Sequence, residues 1–245
     1  GLVLRADVFR PVAEGKYPAI MSYGPYGKGL AFQEGYKTAW EIMAREFPDA
    51  VSGTSNKYQN WEVVDPEKWV PHGYAVVRVD SRGAGRSPGF LCHGDARENK
   101  DFHDCIEWAA VQPWCSGKIG LNGISYYASN QWKAAAMQPP HLAAICVWEG
   151  WADNYRDSTH HGGIICVFRK NWQEMQVKTV QHGVGEHGKR SPIWPVGPKL
   201  RRTKGAARYR PVMIGTNAAK DLISARLTKE RPGPGTLHFP HDRDV

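Results

Sequence analysis

The sequence has no apolar run approaching the roughly 18 residues needed to cross a bilayer. Its first residues also lack the basic and apolar blocks of a secretory leader. There is no C-x-x-C pair: Cys92, Cys105, Cys115, Cys146 and Cys166 are odd in number and scattered, which argues against a disulfide framework. Internal repeats and low-complexity blocks are missing, so solenoids and fibrous arrays drop out. His160 and His161 stand side by side, where their side chains diverge, and form no ligand set with a nearby Cys, Asp or Glu. These absences lead to the expectation of a soluble, cytoplasmic chain with no metal and no cofactor, its cysteines reduced.

The 245 residues that are there are ordinary in bulk and uneven in detail. An apolar fraction of 41% and a charged fraction of 23% suit a globular α/β chain large enough for one full core. The net charge of +8 is concentrated in one stretch. Between His187 and Arg231 stand twelve Lys and Arg against Asp221 and Glu230, a net +10, whereas residues 1–186 carry −1. An arm for nucleic acid or another acidic partner is one reading. A solvated tail, or coding sequence that has left its ancestral frame, are the others. No binding module or interleaved aromatic pattern accompanies the charge, which weighs against nucleic acid. The chain opens on GLVLRADVF, inside a strand-like alternation and without an initiator Met, so it is expected to be a piece of a longer product or the reading of an incomplete gene.

LVLRADVF (2–9) and PAIMSY (18–23) read as strands joined by a turn containing Pro and Gly. AFQEGYKTAWEIMA is predicted to be helical. YAVVRV (74–79) is a β-branched apolar run that ends at Asp80 and opens into the glycine-rich SRGAGRSPG, as a buried parallel strand does at its carboxyl end. ENKDFHDCIEWAAVQ places Phe102, Cys105, Ile106 and Ala109 at helical spacing, and PWCSGK closes that helix. IGLN is then a short strand, YYASNQWKAAAMQ a helix and LAAICVW a further strand. Strand and helix in alternation predict parallel α/β layering. Beyond Gly150 the pattern becomes aromatic-rich and irregular, as in a cap of short helices. Past Ser191 only RPVMIGT and GTLHF read as strands.

NGISYYAS (122–129) puts a serine straight after the IGLN strand and before an Ala-rich helix. A serine hydroxyl at its normal pKa is a poor nucleophile; catalysis asks for exposure on a tight turn, a base and donors for the oxyanion. Such a strand-to-helix turn is crowded and favours small residues two places before and two after the serine. Gly123 satisfies the first position; Tyr127 fails the second.

Taken in order, GYAVVRVDSRGAGRSPG, DCIEWAAVQPWCSGKIGLNGISYYA and PPHLAAICVWEG resemble the serine hydrolases grouped with cocaine esterase, α-amino-acid ester hydrolases and X-Pro dipeptidyl-peptidases. The likeness runs from about Leu2, where LVLRADVFRP resembles that family's opening hairpin, through MSYGPYGK to roughly Arg190. It implies an α/β-hydrolase fold with a mainly helical cap, truncated at the C-terminus, and an acyl-enzyme on Ser125. By the same resemblance the Tyr126 N–H and the Tyr26 hydroxyl, in GPYGK, are the oxyanion donors. It implies that Trp151 and Tyr155, with Trp148, line an acyl pocket, core packing being the competing reading for each. Asp80 and Arg82 match the family but suit a structural duty, a carboxylate holding a glycine turn. Asp101 and Asp104 are expected to be solvated or favoured by a helix dipole rather than to act as a paired acid and base.

Hydrolases of this fold supply acid and then histidine after the serine. By chain order alone the candidates are Asp221 after RPVMIGT and His241 after GTLHF. The expected organisation is a core over 1–150, a cap over 151–191 and a basic tail over 192–245, the tail either an incomplete end of the core or unrelated to it. The expected substrate is a small ester or amide, with no membrane, nucleic acid disfavoured as a partner, and a homo-oligomer allowed. An acyltransferase using the same nucleophile, or a hydrolase fold impaired by loss of its base, are the alternatives.

Overall fold

AVVRVD, Ala75–Asp80, is buried at every position, and a strand covered on both faces belongs in the interior of a largely parallel sheet. The computed structural model, which describes residues 2–177 and 236–239, puts it there. The strands are β1 (Leu2–Phe9), β2 (Tyr17–Gly24), β3 (Ala75–Asp80), β4 (Cys115–Ile124), β5 (Leu142–Trp148), a short hairpin β6 (His160–His161) and β7 (Ile164–Ile165), and β8 (Thr236–Phe239). Their order in the main sheet is β5-β4-β2-β3-β1-β8. β2, β3, β4 and β5 run parallel, while β1 is antiparallel to both β3 and β8.

The expected opening hairpin is not formed. β1 pairs with β3, Ala6 facing Val79 and Phe9 facing Val76, and β2 lies on the far side of β3. Burial explains the exchange. β2 is buried from Ala19 to Gly24, which demands a central place, whereas only Val3 and Leu4 of β1 are fully buried. β4 is also longer than IGLN. Its ladder to β2 begins at Tyr17 and Cys115 and shifts register before Ala19 meets Ile119, and Gly117 between them sits at φ 82°, as a bulge requires. Thr236–Phe239 of GTLHF do pair as a strand with β1, whereas RPVMIGT lies outside the described residues.

The helix Ala96–Ala110 starts at Asp95, whose side chain accepts from the Glu98 N–H at 2.7 Å, an N-cap contribution of about 1 kcal/mol. It turns Phe102, Cys105, Ile106 and Ala109 inward against Tyr23, Met21 and Leu121 of the sheet. Each such side chain contributes roughly 1.5–3 kcal/mol by leaving water. The helix Tyr126–Ala136 packs on β4 and β5, and its Gln131 amide exchanges two hydrogen bonds with the Cys146 backbone, at 3.0 and 3.2 Å. Among the described residues no helix is long and apolar enough to cross a membrane.

Asp80 performs the structural duty expected of it. It accepts from the backbone N–H groups of Lys28 and Arg86 at 2.6 and 2.8 Å, and a side chain on Gly85 would meet its carboxylate at 2.4 Å. Asp101 is different from expectation. It is 2% exposed and bound through both oxygens to Arg82 at 2.7 Å, because its position one before Phe102 puts it on the inward face of the helix. Asp104, three residues on, meets Lys100 and His103 near the surface.

Candidate active site

β4 ends at Ile124 and the next helix starts at Tyr126, so Ser125 alone must reverse the chain. It does so at φ 59° and ψ −110°, a conformation that costs a non-glycine residue of order 1–3 kcal/mol and persists only where its surroundings enforce it. Two bonds enforce it. The Ser125 N–H donates to the Trp148 carbonyl at 3.0 Å, and the Ile124 N–H to the Glu62 carbonyl at 3.1 Å. Glu62 and Glu149 are themselves at positive φ, 61° and 54°, so three strained residues meet at one sheet end.

The glycine two places before the serine is sterically required: a Cβ on Gly123 would stand 2.3 Å from Tyr127 Cβ. The bulky residue two places after it is accommodated from across the sheet. A Cβ on Gly24, the last residue of β2, would overlap the Tyr127 ring at 2.5 Å. Gly24 thus supplies the room that a small residue at 127 would otherwise provide.

Tyr26 follows Gly24 in the loop after β2 and is 2% exposed. Its ring meets Tyr127 at 5.5 Å, Tyr126 at 6.1 Å and Trp172 at 6.4 Å, all edge-on. Its hydroxyl oxygen accepts from Trp172 Nε1 at 2.9 Å, which leaves the phenolic hydrogen free to donate elsewhere. Burial, with the charge of Glu62 adding, pushes the phenol well above its ordinary range, so it stays protonated. The Tyr126 N–H is the first of its helix and has no acceptor within it. Tyr26 and Tyr126 share one buried cluster with Tyr127, Trp172, Leu91 and Val177, and Ser125 directly precedes Tyr126 in the chain.

The segment after β5 packs back on the elbow helix through Trp151. Trp151 is half-buried, its N–H donating to Ser129 Oγ at 3.1 Å, and the Arg169 guanidinium lies 4.9 Å over its ring and 5.2 Å over Trp172. Tyr155 is 55% exposed and stacks on His160 at 4.3 Å. Trp148 is 57% exposed. Asp221 and His241 lie outside the described residues. Among the described residues no group of three His, Cys, Asp or Glu could hold a metal.

Four groups at this site were not singled out from the sequence. Trp172 reaches the Tyr26 hydroxyl. Glu62 sits under the elbow, and burial pushes its carboxyl up to about 8, with Glu149 adding. His93 is lowered to about 4 by burial and by Arg169 and Lys133, and its Nε2 meets Gln173 Oε1 at 3.0 Å. Glu98 receives the Tyr126 hydroxyl at 2.6 Å. In sequence, Glu62 and Glu98 look like any solvated acid; only NWE directly behind a polar loop and Glu98 at the capping-box position after Asp95 gave a signal.

A mainly parallel sheet in this strand order, with a strained serine between its fourth strand and the following helix, defines an α/β-hydrolase. Residues 1–193 match the family model described as X-Pro dipeptidyl-peptidase (S15 family), and the chain belongs to that family. It is 34% identical over 169 residues to the cocaine esterase of Rhodococcus sp. (strain MB1 Bresler), covering 68% of this chain and 25% of that protein. It is 22% identical over 198 residues to the Xaa-Pro dipeptidyl-peptidase of Streptococcus pneumoniae (strain Hungary19A-6), covering 64% and 26%. The crystal structure of a CocE/NonD family hydrolase from Staphylococcus aureus superposes with a TM-score of 0.61 at 39% identity, over 71% of this chain and 30% of that one. The chain thus spans about a quarter of the length of the curated relatives it matches. A second model, terminase large subunit gpA, endonuclease domain, matches residues 168–245, overlapping the first match over 168–193.

Proposed function

We propose that this chain hydrolyses an ester or amide of a small acyl substrate through an acyl-enzyme on Ser125, the Tyr126 N–H and the Tyr26 hydroxyl binding the oxyanion. The observation that carries the proposal is the strained backbone of Ser125, followed by Tyr126 and Tyr127 whose rings pack on a buried Tyr26 with its hydroxyl oxygen engaged by Trp172. Attack forms the Oγ–acyl bond and releases the alcohol or amine; water then resolves the intermediate. A neutral phenol suits the anionic intermediate because it donates without bringing a charge of its own. Trp151 and Tyr155 are assigned to the acyl side of the pocket, and Asp221 and His241 to acid and base. No cofactor enters the scheme, and free cysteines suit a reducing, cytoplasmic setting. Treating the chain with a fluorophosphonate is expected to label Ser125, as located by mass spectrometry, and Ser125→Ala to abolish the adduct. A folded chain that does not label sinks the proposal and leaves the impaired hydrolase in its place.

A second reading applies to the tail. Its match to an endonuclease domain over 168–245 coincides with the net +10 between His187 and Arg231, and together they favour a joined, nucleic-acid-directed segment over a shifted frame. Binding to duplex DNA should then weaken steeply with salt, by about tenfold or more between 50 and 200 mM; flat salt dependence rules it out.

A further inference from the structure

The Tyr126 backbone enters the mechanism above, but its side chain has no part in it. That side chain is 5% exposed and its hydroxyl donates to Glu98 Oε1 at 2.6 Å. The ring stacks on Trp172 at 6.0 Å and meets Tyr26 edge-on at 6.1 Å. Glu98 is equally buried; its other oxygen accepts from the Gly94 N–H, and its own N–H is held by Asp95. A carboxylate is costly to bury unless its oxygens are taken up, and here a phenol and a backbone N–H take them.

We propose that Glu98 is a positioning residue for the oxyanion hole: through the Tyr126 hydroxyl it fixes the first turn of the helix Tyr126–Ala136 and holds the Tyr126 ring against Tyr26. One buried side chain would then align both donors, the N–H of Tyr126 directly and the hydroxyl of Tyr26 through ring packing. The inference rests on the serine-hydrolase reading. Glu98 lines one small cavity with Tyr23 from β2, Ser81 and Arg82 from the loop after β3, Arg97 and Asp101 from its own helix and Asp95 at the N-cap, and the charge of Lys133 on the elbow helix acts on it. Arg82 is committed to Asp101. Burial pushes the Glu98 carboxyl up to about 7, against the Tyr126 and Gly94 donors and Lys133, with Asp95 adding. The bond from Tyr126 therefore becomes charge-assisted, and stronger, as pH rises through neutrality.

Glu98→Gln keeps an acceptor for Tyr126 and removes the charge; Tyr126→Phe removes the donor and keeps the oxyanion N–H. Fluorophosphonate labelling rates at Ser125 are measured for both, for the double variant and for the parent, after circular dichroism confirms folding. The ratio of parent to Glu98→Gln is expected to climb to about tenfold between roughly pH 5.5 and pH 8.5, a fraction of the loss seen when an oxyanion donor is removed outright. A histidine base titrates in both proteins and cancels in that ratio. Tyr126→Phe should show a comparable loss, and the double variant no more than either single one. A ratio flat with pH, or Tyr126→Phe labelling at the parental rate, overturns the proposal. If the parent itself does not label, the hydrolase reading fails separately, and the tether is read from near-ultraviolet absorbance. The parent-minus-Tyr126→Phe spectrum should titrate near neutrality and lose that titration in the Glu98→Gln background; a titration unchanged by Gln overturns it.

Discussion

Residues 1–186 and the stretch from His187 to Arg231 differ in kind. The first carries a net −1, matches one family to residue 193 and contains the whole elbow; the second carries +10 and falls within a match to another family. Catalysis by serine divides the same way. The parts proposed to bind and polarise a carbonyl, Ser125, Tyr26 and Tyr126, come from strand ends and a helix start of the first region. The parts that move the proton, assigned to Asp221 and His241, both fall after the elbow by more than ninety residues. On that proposal the electrostatic half can persist without the proton-transfer half, because the proposed oxyanion donors sit at sheet and helix ends whereas the assigned acid and base lie far later in the chain.

The largest expected effect breaks this comparison. If the tail completes the triad, His241→Ala lowers the fluorophosphonate labelling rate of Ser125 by about a thousandfold or more, with the melting temperature unchanged. Equal rates for the two proteins would show that residue 241 contributes no base, and that the two regions are functionally separate. Tyr26→Phe sharpens the comparison from the other side. Loss of one oxyanion donor is worth about a hundredfold in kcat with little change in KM, measured with an activated p-nitrophenyl ester. A rise in KM at constant kcat would recast Tyr26 as a wall of the pocket.

How much was legible in the sequence follows from what each signal depends on. Ser125, Tyr26 and the β3 turn at Asp80 sit in short local patterns whose meaning is set by neighbours in the chain; β2 and β3 match their expected ranges to within a residue, whereas β4 runs from Cys115 to Ile124 rather than over IGLN alone. What escaped depended on distant partners. The tolerance of Tyr127 comes from Gly24, a hundred residues away across the sheet. The sequence around Asp101 suits a solvated or dipole-favoured acid, because its partner Arg82 lies on another element. Which strand β1 joins was settled by relative burial, and a turn sequence carries no record of that. Trp172 falls in a segment with no clean periodicity, so its donation to Tyr26 could only be found in three dimensions.

The smallest expected effect concerns how the first region tolerates its own strain. Glu62 holds Ile124 through its carbonyl while its carboxyl, pushed up to about 8 by burial, keeps its proton in the folded chain long after the unfolded chain has lost it. The folded state therefore binds the extra proton between about pH 4.5 and pH 8, and stability falls as pH rises across that window. Glu62→Gln has no proton to lose, so it should gain about 3 kcal/mol on the parent between pH 5 and pH 8, measured by urea unfolding. Glu98 and His93 titrate in both proteins and leave the difference untouched. An identical difference at the two pH values would mean that Glu62 is ionised under the elbow at neutrality, and that the proposed oxyanion site already has a negative charge near it.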